Sequence, residues 1–238
     1  MTISHVIADL HLCEERPDIT EGFLRYLQGV AVEAEQLYIL GDFFEAWVGD
    51  DYSDATIESV AAALQARAKH GGKTYFCHGN RDFLVGEVFC RKAGMTLLDE
   101  TTVVDFGGQP TLLMHGDSLC TDDTEYQAFR RMVRDPAWRA NFLSQPLDAR
   151  LAIAAQLRAK SKMASREKAQ DIMDVNADAV AAACLEHHVT TLVHGHTHRP
   201  ADHDQGELRR LVVGDWDVDM YYVRATDDAT TLHQWQWR

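Results

Sequence analysis

Short apolar runs recur along this chain, and each stops at a cluster of Asp, Asn, His and Gly. Thr2 to Ala8 is rich in β-branched residues and ends at Asp9-Leu10-His11, and Gln36 to Leu40 ends at Gly41-Asp42. Lys73 to Cys77 runs into His78-Gly79-Asn80-Arg81-Asp82, Thr111 to Met114 into His115-Gly116-Asp117, and Thr191 to Val193 into His194-Gly195-His196-Thr197-His198. Apolar runs of this length, bounded by turn residues, predict strands. Between them the spacing lengthens to a helical period. Asp54 to His70 places Ile57, Val60, Ala61 and Leu64 on one stripe and closes at Gly71-Gly72, a helix stop signal. Asp174 to His187 is Ala-rich and amphipathic, with Val175 and Asn176 expected as structural residues at its start. Leu208 to Val213, Met220 to Ala225 and Thr231 to Trp237 predict closing strands. Strands alternating with helices in this way predict an α/β fold.

From about Thr121 to Gln170 the rhythm changes to helical segments broken at Pro136 and Pro146, with Leu147, Leu151, Ala154 and Arg158 on one face. We therefore expect a single domain over 1–238 that carries a helical insertion at 122–170. Trp138, Phe142, Leu143, Leu147 and Leu151 could form the core of that insertion or line an apolar groove, and the pattern does not separate the two.

Composition narrows the class. With 238 residues and 46% hydrophobic positions the chain has a core-forming composition, which excludes disorder, collagen-like repeats and a disulfide mini-protein. Its five cysteines are odd in number and form no CxxC, the pattern of reduced thiols in a cytosolic protein. The longest apolar stretch, Ala179 to Leu185, is too short to span a bilayer, so membrane contact is expected to be peripheral. A net charge of −14 argues against a duplex-nucleic-acid binder, which needs a basic footprint. The acids are mostly Asp, and five of the 12 histidines fall between His187 and His198. Oxygen and imidazole donors in such density suggest bound cations.

The strand-end clusters supply those donors. Asp9 and His11, two residues apart at a strand end, can aim at one ion; Asp42 can bridge two; Asn80 offers a neutral oxygen; His115, His196 and His198 offer imidazoles. Mixed oxygen and nitrogen donors without thiolate favour Mn²⁺, Fe or Zn²⁺. Two ions about 3.5–4 Å apart are the arrangement that clamps both oxygens of an in-line phosphoryl displacement. Asp82 and Asp117 are expected to orient Asn80 and His115 rather than to bind metal. His78 and His194 could do likewise or simply end strands, whereas His5, His70, His187, His188, His203 and His233 read as surface residues.

Taken in order, Asp9-His11, Gly41-Asp42, Gly79-Asp82, His115-Asp117 and Gly195-His198 resemble the calcineurin-like metallophosphoesterases. That resemblance implies a four-layer αββα sandwich with the metals at the strand ends. Many members carry His after the Asn, where this chain has Arg81, so an imidazole acid is absent there. Gly79 to Asp82, Leu119 to Asp123, Ile172 to Asn176 and His194 to Pro200 are similar to the UDP-2,3-diacylglucosamine hydrolase family of lipid A synthesis, in which the insertion forms a lid.

The resemblance implies two Mn²⁺ per chain: one held by Asp9, His11 and His198, the other by Asn80, His115 and His196, with Asp42 bridging. It implies substrate contacts at Asn80, Arg81, Asp123, Ser161, Ser165, Lys168 and His196, the family commonly having Asn or Thr at the place of Ser165. It further implies UDP-2,3-diacylglucosamine as substrate, UMP and 2,3-diacylglucosamine 1-phosphate as products, and a peripheral position on the cytoplasmic side of the inner membrane. The metal motifs alone leave open a related phosphoesterase acting on dinucleoside polyphosphates or phosphoproteins, or a binding scaffold of the same fold. The charge is unevenly spread: ten Lys and Arg against three acids between Arg130 and Lys168 give +7, leaving −21 on the remainder. An acidic body with a basic insertion is suited to an anionic lipid substrate at an anionic surface.

Overall fold

The computed structural model describes residues 2–167, 174–204 and 206–236. Two sheets form its centre. The first joins β1 (Ser4–Ile7), β2 (Gln36–Leu40), β3 (Lys73–Cys77), β4 (Met95–Leu97), β10 (Met220–Ala225) and β11 (Thr230–Trp235) in the order β11-β10-β1-β2-β3-β4. The second joins β5 (Thr101–Phe106), β6 (Gln109–Met114), β7 (Thr191–His194), β8 (Ala201–Asp204) and β9 (Arg209–Val212) in the order β5-β6-β7-β9-β8. The strands predicted at 36–40, 73–77 and 220–225 have the bounds expected of them.

Strand periodicity divides the apolar residues between three layers. Val6, Tyr38, Leu40 and Cys77 of the first sheet meet Leu113, Val193 and Leu211 of the second in a core between the sheets. Their sequence neighbours Ile7, Ile39 and Phe76 point the other way, onto α1 (Pro17–Gln28), α2 (Ala55–Lys69) and α3 (Glu87–Ala93). Leu112, Met114 and Leu192 face outward onto Val180 and Cys184 of α7 (Ala177–Glu186). Side chains alternate across each strand, so Leu37 to Leu40 of β2, Tyr75 to Cys77 of β3 and Leu192-Val193 of β7 are apolar on both faces and read as short continuous hydrophobic runs. The result is the expected helix, sheet, sheet, helix layering.

In α2 the buried residues include Ile57, Val60, Ala61 and Leu64, the predicted stripe, and Asp54 caps its start by accepting from Ile57 N at 2.8 Å. The helix ends at Lys69, and Gly71 just beyond takes φ +90°. Between β6 and α7 lie α4 (Thr124–Arg134), α5 (Pro136–Leu143) and α6 (Leu147–Glu167), with Pro136 opening α5 and Pro146 preceding α6. Phe142 is buried, and Trp138 and Leu147 pack on the same cluster as α1 to α3, whereas Leu143 and Leu151 stay exposed. Lys168 and the side chains of Ser161 and Ser165 fall outside the described residues.

One histidine assignment is corrected. His5 is fully buried in β1, its Nδ1 2.8 Å from the Tyr26 hydroxyl and its ring 4.7 Å from that of Tyr222. The alternation of β1 places it between two aromatic rings, a setting invisible without the partner strand. The cysteines form no disulfide. Among the described residues, no helix is long and apolar enough to cross a membrane.

Candidate metal centre

The loops that follow β1, β2, β3, β6 and β7 converge at one edge of the two sheets, and they carry all seven proposed ligands. Close approach of these loops depends on glycine. A Cβ on Gly41 would lie 2.3 Å from Gly79 N, one on Gly79 2.2 Å from Asp42 N, and one on Gly195 2.3 Å from Asp9 Oδ2. The glycines of the Gly-Asp, Gly-Asn and Gly-His motifs are thus the contact points between loops.

Backbone strain is concentrated here. Asp9, His11, Asp42, His196 and His198 all have positive φ, between 49° and 66°, and among the described non-glycine residues only His188 joins them. Positive φ costs a side-chain-bearing residue free energy, and it persists where the surroundings and a function hold it. At these positions it turns consecutive side chains off the strand ends toward a common point.

The side chains meet in two groups. In the first, Asn80 Oδ1 lies 2.9 Å from His115 Nε2 and 2.8 Å from His196 Nδ1, the two imidazole nitrogens are 3.2 Å apart, and Asp42 Oδ1 is 3.7 Å from His115 Nε2. In the second, His11 Nε2 and His198 Nε2 are 3.2 Å apart and Asp9 Oδ1 is 3.5 Å from His198 Nε2. Donor atoms of Asp9, His11 and His198 lie within 4.8 Å of one another, as do those of Asp9, Asp42 and His115. The donor atoms thus form two neighbouring groups, with Asp9 near both.

A cation fits these atoms. Asp9 Oδ1 and His11 Nδ1 are buried without a hydrogen bond, their charged neighbours His198 and Glu45 standing off at 3.5 and 3.3 Å, and a buried carboxylate oxygen left so is better satisfied by a cation. Imidazole nitrogens facing one another at 3.2 Å likewise suit a shared electrophile better than a shared proton.

The protonation of the cradle follows from burial and charge. Burial alone would raise Asp9, but the imidazoles of His198, His115 and His11 hold its carboxyl well below the usual range. Burial pushes His11 down to about 4, and burial together with His115 does the same for His196. Burial opposes His198 too, yet Asp215 and Asp9 carry it up to about 10. His11 and His196, held low, already offer lone pairs, whereas His198 and His115, the latter raised by Asp42, Asp9 and Asp117 against its burial, must release a proton to do so, so cation binding competes with protons.

The two supporting carboxylates act differently from expectation. His115 Nδ1 is held by the backbone carbonyl of Leu40 at 2.8 Å, not by Asp117. Asp117 instead accepts from Tyr126 Oη at 2.7 Å and Arg130 Nε at 2.8 Å, tying α4 to the loop after β6. Asp82, fully buried, accepts from the backbone of Gly79 and Phe43 at 2.8 Å and of Asp42 at 3.3 Å. It therefore locks two ligand loops together through their main chains rather than orienting the Asn80 side chain. Burial and the adjacent Asp42 push it up to about 7 against those donors. His194 is buried with Nδ1 2.8 Å from Gly195 O, and His78 Nε2 lies 2.7 Å from Val85 O, so both brace loop backbone.

Of the proposed substrate contacts, Asn80, Arg81 and His196 lie in the cradle. Arg81 pairs with Glu45 at 2.9 Å and has Nε 3.3 Å from Asp42 Oδ2. Asp123 caps α4, accepting from Tyr126 N at 3.0 Å. Asn176 caps α7, as its expected structural role requires, and its amide reaches Asp122 at 3.1 Å. Sequence reasoning missed Glu45, which stands 3.3 Å from His11 Nδ1 and also contacts Arg81 and Arg158, and Asp215, 3.2 Å from His198 Nδ1. Neither sits in a His- or Gly-containing cluster, and only the fold brings them to the ligands.

A sheet edge carrying this donor set in this order defines a class: the chain belongs to the calcineurin-like phosphoesterases, whose pattern it matches over residues 5–200. That family binds divalent metal ions. Within it, the chain falls with the UDP-2,3-diacylglucosamine hydrolases. It is 50% identical over 232 residues to the enzyme of that name from Serratia proteamaculans, covering 96% of this chain and 97% of the relative. It is 51% identical to that of Escherichia coli O81, covering 95% and 97%. Among solved structures, an archaeal phosphodiesterase aligns over 98% of each chain with a TM-score of 0.48 and 10% identity.

Proposed function

We propose that this protein hydrolyses the pyrophosphate bond of UDP-2,3-diacylglucosamine, giving UMP and 2,3-diacylglucosamine 1-phosphate, with two Mn²⁺ ions held by Asp9, His11, Asp42, Asn80, His115, His196 and His198. The observation that carries this reading is the convergence of those seven donors beside a basic helical insertion, in a chain whose likeness to the hydrolases runs through 232 residues. Bound divalent cations would lower the pKa of an attacking water and neutralise charge on the diphosphate.

The chain's own residues do the rest. Arg81, with a planar fork of donors suited to phosphate oxygens, exchanges its partners Asp42 and Glu45 for the diphosphate. Asn80 and His196 hold the reacting phosphoryl group in line. Lys168, Ser161, Ser165 and Asp123 contact the substrate from the insertion side. Between α6 and the body runs a cavity of about 300 Å³ whose apolar lining, Leu12, Phe44, Val48, Leu151 and Ala154 among it, suits an acyl chain; its charged lining is Glu14, Glu15, Glu45 and Asp54 with Arg158. The basic insertion rests on the cytoplasmic face of the inner membrane, where the substrate resides.

The test is hydrolysis of UDP-2,3-diacylglucosamine with Mn²⁺ in ¹⁸O-labelled water. Attack at the α-phosphorus places the label in UMP. Label in the lipid phosphate, or no turnover of this substrate, overturns the proposal.

A further inference from the structure

One arginine of the insertion is buried where no catalytic role calls for it. Arg150, in the first turn of α6, is 3% exposed. Its Nε donates to Gln145 O at 3.0 Å, and Nη1 donates to Val48 O at 2.5 Å and Asp51 Oδ1 at 2.7 Å. Nη2 donates to Asp51 Oδ2, completing a two-pronged ion pair. The seat is shaped around the guanidinium: Gly49 has φ +132°, and a Cβ there would lie 2.4 Å from Arg150 Nη1.

The loop that receives this arginine begins directly after Asp42. It is pinned a second time by Asp50, which accepts from Gly86 N at 2.9 Å and from Val88 N and Phe89 N at 3.0 Å at the start of α3. Midway along it stands Glu45, which contacts Arg158. Arg158 follows Arg150 by eight residues, so the two lie on one face of α6, about 12 Å apart along its axis. Leu151 and Ala154, between them, line the cavity under the helix. The helix is thus held by hydrogen bonds to Val48 and Asp51 at its Arg150 end and by the single Arg158–Glu45 pair farther along, beside the candidate metal cradle.

We infer that the Arg150–Asp51 pair is a positioning device that sets the tilt of α6, and thereby makes the enzyme selective for an acylated nucleotide over a small phosphodiester. The inference rests on the proposed function, since it concerns how that substrate is accommodated. Releasing the pair lets α6 swing and spoils the cavity, while the ligand loops, held by Asp82 and the glycine contacts, keep their geometry. A small diester that uses only the cradle is then unaffected.

The test uses Asp51→Ala and the conservative Asp51→Asn in the full-length Mn²⁺-loaded protein, because Asp51 is the largely exposed partner of the pair, with melting curves of both variants to establish that they are folded. Steady-state kinetics are measured with UDP-2,3-diacylglucosamine and with bis(p-nitrophenyl) phosphate. For Asp51→Ala the expected result is a KM for the diacyl nucleotide raised about tenfold with kcat within twofold, and a kcat/KM for the small diester within twofold. Asp51→Asn, which keeps one acceptor, should fall between wild type and Asp51→Ala. Equal losses on both substrates, or no change on either, overturn the proposal. Hydrogen exchange of the metal-free protein gives a reading independent of turnover. Faster exchange at α6 with α2 and α3 unchanged is expected in Asp51→Ala, and unchanged α6 exchange refutes the clasp. If wild type does not turn over the diacyl nucleotide, the proposed function fails while the exchange result still decides the clasp.

Discussion

The metal cradle and the helical insertion face each other, and they are held by different means. The cradle is fixed by main chain: glycines allow loops to touch, Asp82 gathers the N–H groups of two loops, and five of the candidate ligands sit at positive φ. The insertion is fixed by side chains. Arg130 pairs with Asp117 and Glu100, Arg134 with Glu100 and Gly79 O, Arg150 with Asp51, and Arg158 with Glu45. Main-chain contacts between buried loops leave no freedom, so reacting groups stay in place. Ion pairs at a partly wet interface are individually weak, so beyond the buried Arg150 clasp the helical layer can adjust to a bulky substrate.

The contrast also changes the meaning of the charge split. Among the described basic side chains of this segment, Arg130, Arg134, Arg150 and Arg158 point back into the acidic body and serve as fasteners. The +7 of that segment overstates what remains for a lipid surface.

The comparison breaks most severely at the cradle. Asp9→Ala removes the carboxylate nearest both ligand groups, and turnover should fall by more than about 100-fold, beyond the usual cost of losing a supporting residue. Metal titration of the purified variant should show a matching loss of affinity, and retained binding would show that Asp9 is not a ligand. Gly79→Ala tests the main-chain half directly. Its Cβ would lie 2.2 Å from Asp42 N, so the loops must part, costing about 3 kcal/mol or more in denaturant melts. A loss under about 1 kcal/mol would show that the loops adjust.

Acid should separate the layers through His5. Burial pushes its imidazole down to about 4, so the folded state disfavours the protonated form. The associated stability is fully present above the unfolded value near 6.5. It is lost as pH falls from there to about 4, up to about 3 kcal/mol in all. Melting wild type and His5→Gln across that window should show a smaller slope in the variant, and equal slopes would place the acid sensitivity elsewhere. The smallest effect per residue is expected at the insertion surface. Replacing Arg131, Arg139 and Lys160 by Gln should weaken binding to anionic vesicles by about 1 kcal/mol per residue, with turnover of a small diester unchanged. Unaltered vesicle binding would show that these charges are merely solvated.

Much of the cradle was legible because a strand-end ligand must sit beside a residue that turns the chain, so Asp9-Leu10-His11, Gly41-Asp42 and Gly195-His196-Thr197-His198 carry donor and turn together. The periods of β2, β3 and α2 were equally plain, since each is long enough to display its pattern. The short helix α3 and strands β4, β5 and β8 gave no comparable signal, being brief or half exposed. Glu45 and Asp215 were not legible either, because a carboxylate alone in a loop looks like any solvated acid.

The sequence by itself determined which residues can end strands, turn the chain and offer lone pairs, and hence the layered α/β class and the seven candidate ligands. Local chemistry suffices for that, because turn, period and donor type are properties of neighbouring residues. Only the tertiary structure decided that Leu40 O rather than Asp117 holds His115, that Asp82 grips backbone, and that His5 is buried. It also decided that Arg150 is a fastener rather than a surface charge. Those roles depend on which distant segments become neighbours, here Val48 with Arg150 and, farther still along the chain, His5 with Tyr222, and no local pattern encodes such a distance.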